Sequence, residues 1–124
     1  MFDFKKNLIS AIRVLSNGPD EQANYIRILF GIPNSEDDGN IDELALELED
    51  AFFGADAELR ALTINHDQYQ NIKKLDDKLD KMSGKKNAHL WTIKALNVEK
   101  DWAEVRRLAT TALASFEGEF RDGP

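Results

Sequence analysis

Residues 34–45, NSEDDGNIDELA, carry oxygen-bearing side chains at a spacing close to the calcium-loop pattern D-x-[DN]-x-[DN]-G-x5-E. With Gly39 at the turn position, Asp38 precedes it and Ile41 falls where an apolar residue belongs. The pattern fails where the chemistry is most demanding. A calcium loop closes on a bidentate Glu at its twelfth position, and that position is Ala45. Asn34 stands at the first position, Glu47 comes two residues late, and Gly31 and Pro33 interrupt any helix leading in. The stretch therefore reads as a glycine turn entering a capped helix, and neither a metal nor a cofactor is expected.

Two acid pairs offer a second chemistry. Glu47 and Asp50 form E-x-x-D, and Asp77 and Asp80 form D-x-x-D. All-helical nucleotide pyrophosphohydrolases hold magnesium with such pairs on facing helices, because magnesium keeps most of its waters and needs few carboxylates beyond substrate phosphates. Here Asp77 and Asp80 lie among Lys73, Lys74, Lys78 and Lys81, where ordinary pairing along a helix accounts for them. His66 and His89 have no ligand-spaced partner, and no Ser or Cys arrangement suggests a nucleophile. Trp91 and Trp102 are expected in the core. The chain is thus read as a non-enzyme, with a magnesium-dependent pyrophosphohydrolase as the alternative.

Charge gives the clearest pattern. The 124 residues carry a net charge of −7. Residues 28–59 hold Glu36, Asp37, Asp38, Asp42, Glu43, Glu47, Glu49, Asp50, Asp56 and Glu58 and no Lys or Arg, so this block is −10 and the remainder +3. A face built from it argues against direct nucleic-acid binding. There is no Cys, which excludes disulfides and thiolate metal sites and suits a reducing compartment. Arg13 interrupts the apolar run after Lys5 and Lys6, no small-residue cleavage site follows, and no run of 18 apolar residues occurs. A cytoplasmic protein without membrane contact is expected.

The elements that must position these charges are helical. A hydrophobic content of 42% against 31% charged suits one globular domain spanning 1–124, with 118–124 a fraying tail. Phe4, Leu8, Ile12 and Leu15 mark a helix over about 3–17, stopped by a left-handed Gly18 and by Pro19. Asp20 is read as the cap of a second helix over 20–30 that turns Ala23, Ile26 and Phe30 inward, and 31–39 as a loop. A third helix follows Asn40, with Glu43 as capping-box partner, Ile41, Leu44, Leu48 and Phe52 buried, and Gly54 closing it. A fourth region covers 56–82, with Leu59, Leu62, Tyr69, Ile72, Leu75, Leu79 and Met82 inside. The sequence leaves open whether this region runs through as one helix or breaks at 65–67, where Asp67 and Gln70 could cap anew. Residues 83–87 are a loop, and 88–96 is read as helix rather than strand, since a lone strand has nothing to pair with. Val98, Trp102, Val105, Ala109, Ala112 and Phe116 define a last helix over about 99–117, with Asp101 and Glu104 near its start. The whole reads as an all-α, single-domain bundle of five or six helices.

Burying one stripe of the third helix leaves Asp42, Glu43, Glu47, Glu49 and Asp50 outside, next to the loop acids Glu36, Asp37 and Asp38. Leu46 and Phe53 fall off the buried stripe and would serve as apolar anchors inside a charged rim. These ten residues form the expected partner-binding face. The opposing expectation is that the Lys73–Lys86 run crosses this face and neutralises it, or that the face is merely solvated. The leading functional expectation is a small acidic module that docks on a basic protein. In bacteria, toxin-neutralising immunity proteins need this property, because nuclease toxins carry basic clefts built for phosphate. A structural or assembly module of a phage or larger complex is the further alternative.

Overall fold

The computed structural model describes residues 3–30 and 41–116, and all of their regular structure is helical. In chain order the helices are α1 (Phe4–Ser16), α2 (Pro19–Phe30), α3 (Glu43–Phe52), α4 (Ala55–Arg60) and α5 (His66–Lys81). A 3-10 segment (Lys85–Leu90), α6 (Ile93–Val98) and α7 (Lys100–Ala114) complete the series. The all-α bundle is as the sequence indicates, with more and shorter helices than five or six. No helix among the described residues is long and apolar enough to cross a membrane.

Four helices close a ring: α7 packs on α1 and α5, and α3 packs on the same two from the opposite side. Each contributes its apolar stripe. Leu8, Ile12 and Leu15 of α1, Leu44 and Leu48 of α3, Ile72 and Leu75 of α5, and Trp102, Val105, Ala109 and Ala112 of α7 are fully buried in one cluster. Ala109 and Ala112 keep the α7 surface small, which allows close approach of its neighbours. α2 and the short α6 pack on each other alongside this ring.

Helix ends differ from expectation where caps compete. Gly18 has no left-handed φ; α1 ends because Asn17 is extended (φ −71, ψ 162). Pro19 is the first residue of α2, where a missing N–H costs nothing, and Asp20 lies inside the first turn rather than capping it. The Gly18 N–H instead donates to the Glu21 carboxylate at 3.3 Å. The long fourth helix is two. Gly54 (φ 84) turns the chain between α3 and α4, and a full capping box opens α5: Asn65 accepts from the Gln68 N–H, and Gln68 accepts from that of Asn65. The cap is Asn65 with Gln68, not Asp67 with Gln70. Residues 88–96 are helical but split between the 3-10 segment and α6, and Lys85 already belongs to the former. The third helix starts at Glu43, with Asp42 in the cap position making no side-chain cap bond. Asn40, Gly39 and the loop 31–39 lie outside the described residues, as does the 118–124 tail.

Three apolar residues expected inside are exposed. Phe30 ends α2 and Val98 ends α6, while Leu62 sits at positive φ (63) in the α4–α5 turn, 82% exposed. Each lies where the chain leaves its helix, so the helical stripe no longer decides which way it points.

One buried polar cluster ties the ring to the α2–α6 pair. Gln22, fully buried, donates to the Val14 and Leu15 carbonyls at 3.2 and 3.1 Å, satisfying the C-terminal end of α1. Its oxygen accepts from the Arg106 guanidinium at 3.2 Å, which also donates to the Leu96 carbonyl at 3.1 Å. Burial lowers the Arg106 pKa. Gln22→Leu keeps the volume but takes the amide partner from the Leu15 carbonyl and the Arg106 guanidinium, while the Val14 carbonyl keeps the Asn17 N–H at 3.2 Å. It should destabilise the fold by about 1–3 kcal/mol, read as a lower urea midpoint at unchanged slope.

Candidate functional site

α3 stands with its apolar edge in the ring and its acids outside. Ile41, Leu44 and Leu48 are buried, and Phe52 is half-buried against Tyr69, ring centroids 5.6 Å apart. Around the outer surface, Asp42, Glu49 and Asp50 are exposed and Glu43 and Glu47 half-buried. Leu46 is 43% and Phe53 84% exposed, so both apolar positions lie open among the carboxylates. The structure thus brings seven of the ten expected face residues onto one helix surface and its end. Glu36, Asp37 and Asp38 lie outside the described residues.

Two helical features oppose this arrangement. Glu43 and Glu47 are one turn apart, as are Glu47 and Asp50, each a like-charge pair. The last turn of α3 carries Glu49 and Asp50 and no basic residue, the wrong sign for the negative end of the helix dipole. The expected neutralisation by the Lys73–Lys86 run is not what the ion pairs show. Lys73 pairs with Asp77 on its own helix at 2.7 Å, and Lys78 reaches Asp101 of α7 at 2.7 Å. Among the described residues, no ion pair joins Asp42, Glu43, Glu47, Glu49 or Asp50 to a Lys or Arg.

The inner flank of the face is held by a neutral donor. The Tyr25 hydroxyl of α2 donates to the Glu47 carboxylate, 2.7 Å from each oxygen. Burial, this hydrogen bond and the charges of Glu47 and Glu43 push the Tyr25 phenol up to about 12, so it remains a donor throughout the neutral range. Glu47 is therefore a positioned carboxylate, half committed within the fold. The separation of 22 residues between it and Tyr25 left no local signal in the sequence.

The outer flank borders a groove. Asp42, Ala45, Leu46 and Glu49 of α3 face Ser83, Gly84, Ala88 and Trp91 across a groove of about 520 Å3. Trp91 is fixed in this wall: its indole N–H donates to the Met82 carbonyl at 2.8 Å, and its ring meets Trp102 edge-to-face at 5.2 Å. Trp102 is the fully buried core aromatic, donating to the Leu90 carbonyl at 2.5 Å, whereas Trp91 is only half-buried. Sequence reasoning missed Trp91 as a surface residue, because helical spacing cannot reveal that one tryptophan has taken the interior site.

Glu47 is occupied by Tyr25 and Asp77 by Lys73. Among the described residues no group of three carboxylate or imidazole side chains converges to hold a metal ion. His66 and His89 are exposed, and His66 only approaches the Gln70 amide at 3.5 Å. No family model, curated protein or solved structure compared with this chain matches it.

The face carries a pH dependence of definite sign. Burial first, then the charges of Glu47, Asp42 and Asp50, raise the Glu43 pKa. On α5, burial raises Asp76 against the lowering by Lys73, with Asp77, Asp80 and Glu49 adding to the rise. Both groups bind protons more readily folded than unfolded, so their protonation adds stability as pH falls through the raised folded values. The melting temperature should therefore rise between pH 7 and about pH 5. Glu43→Gln should melt higher than wild type at pH 7 and show a smaller rise.

The groove also depends on one backbone conformation. Gly84 adopts φ 101, ψ 163, a region essentially closed to side-chain-bearing residues. Gly84→Ala should cost about 1–3 kcal/mol in chemical denaturation. Gly18→Ala, whose added Cβ would meet only Glu21 Oε1 at 3.5 Å, should change stability far less.

Proposed function

We propose that this protein is a small acidic binding module whose α3 face docks on a basic protein, acting as an inhibitor of the immunity or antitoxin type. The partner class that fits is a nuclease toxin, whose phosphate-binding cleft presents the cations this face would neutralise. The observation that carries the reading is the pairing of exposed Leu46 and Phe53 with carboxylates that no described Lys or Arg engages. Apolar anchors inside a charged rim are how strong interfaces concentrate their energy. An electronegative face also speeds encounter with a positive one and repels wrong partners.

The charges of α3 lend further support. A helix evolved only for stability would place cations in its last turn, and like charges a turn apart cost a few tenths of a kcal/mol each. Local rules broken together on one exposed surface are characteristic of a functional face.

The test uses the triple variant Asp42→Lys, Glu49→Lys, Asp50→Lys. All three residues are exposed, and two of the new lysines fall where the helix dipole favours them, so the variant should fold. Immobilised wild type, exposed to extract of its native cell, should retain one basic protein at about 50 mM salt and release it near 0.5 M, since exposed charges are screened over that range. The triple variant should retain none of it, and a purified nuclease partner should lose activity on addition of wild type alone. Equal capture by wild type and variant would sink the reading.

A further inference from the structure

The groove beside α3 has a chemistry narrower than a general acidic face. Its lining combines the small side chains of Ala45 and Ala88 with the larger apolar ones of Leu46 and Trp91. The only hydrogen-bonding group of the Trp91 side chain is already spent on the Met82 carbonyl, so the indole offers apolar surface, and Trp102 braces the ring. The carboxylates of Asp42 and Glu49 belong to the same lining. They are seven residues apart on one helix, about 10.5 Å along its axis, with Leu46 between them. The volume of about 520 Å3 lies within the range of ligand-binding clefts, about 300–1,000 Å3.

A purely apolar occupant would strip water from Asp42 and Glu49 without replacing it, at a high desolvation cost. A small cation would leave Leu46 and Trp91 in water. The lining fits a side chain with an apolar stem and a cationic end, which restricts the choice to lysine and arginine. Arginine fits better: its guanidinium is less strongly hydrated than an ammonium, lies flat against an indole, and offers a planar fork to a carboxylate.

Resting on the docking function proposed above, we propose that the groove between α3 and residues 83–91 is the subsite for an arginine side chain of the basic partner. The stem lies on Leu46 and Trp91, and the guanidinium meets Glu49 or Asp42. Phe53, one further turn pair along α3, stays outside the groove for a separate contact.

The probe is a blocked dipeptide amide of leucine and arginine, titrated into the full-length protein and followed by amide and indole chemical shifts. Saturable shifts are expected at Ala45, Leu46, Gly84 and the Trp91 indole N–H. Replacing arginine by citrulline, which has the same shape without the charge, should weaken binding at least fivefold. Ala88→Leu fills the groove without changing any charge and should abolish these shifts; Glu49→Gln should weaken them while leaving the fold untouched. Shifts spread over α3 and unaltered by Ala88→Leu, equal binding of citrulline, or no saturable shift at all would each overturn the subsite. Capture of the basic partner separates the two readings. Loss of capture in the triple lysine variant but not in Ala88→Leu leaves the docking face standing and removes the arginine subsite.

Discussion

Everything α3 does on its outside depends on what it buries on its inside. Ile41, Leu44 and Leu48 are fully removed from water between α1 and α5. At about 1.5–3 kcal/mol each, they contribute several kcal/mol that the outer face cannot undo. The two like-charge pairs Glu43–Glu47 and Glu47–Asp50 oppose that by only a few tenths of a kcal/mol apiece. Burial wins by nearly an order of magnitude, so the ring of four helices fixes α3 whatever charge it carries. The acidic face is thus a freedom that the core permits.

The same core sets the opposite wall of the groove. Trp102 occupies the interior and draws the Leu90 carbonyl onto its indole N–H, and that bond brings residues 85–90 back against the bundle. Trp91, next in sequence, is then left at the rim, braced by Trp102 and by the Met82 carbonyl at the end of α5. Gly84 allows the reversal that makes this return possible. Two tryptophans of one composition thus serve different ends: one carries the core, and the other faces solvent because the first has filled the space.

Much of this was legible in the residues alone, for a specific reason. Stripes such as Leu8–Ile12–Leu15 and Val105–Ala109–Ala112 repeat at three and four residues, and burial follows that period wherever a helix is uninterrupted. The reading failed at boundaries. Asn65 and Asp67 both offer a capping oxygen, and the choice falls to Asn65 because Gln68 reciprocates. Phe30, Leu62 and Val98 continue a stripe on paper, but the backbone has already turned there. On α3, the apolar stripe sufficed to tell that Asp42, Glu49 and Asp50 lie exposed. The Tyr25 clamp on Glu47 and the Trp91 wall come from packing between distant segments, and no local pattern encodes them.

These features bear on binding through linkage. Glu43 is held above its ordinary pKa by burial and by its acidic neighbours, which means that the folded protein pays for keeping that carboxylate charged. A cation brought to α3 by another molecule relieves the repulsion among Glu43, Glu47 and Asp50 and complements the dipole at Glu49 and Asp50. Relief of an unfavourable state of the free protein appears in the association free energy, and anything that binds the folded form preferentially stabilises it in turn. The charges that weaken α3 in isolation are therefore those that a cationic partner would turn to its advantage, and the exposed Leu46 and Phe53 add the apolar contact that charge alone cannot supply.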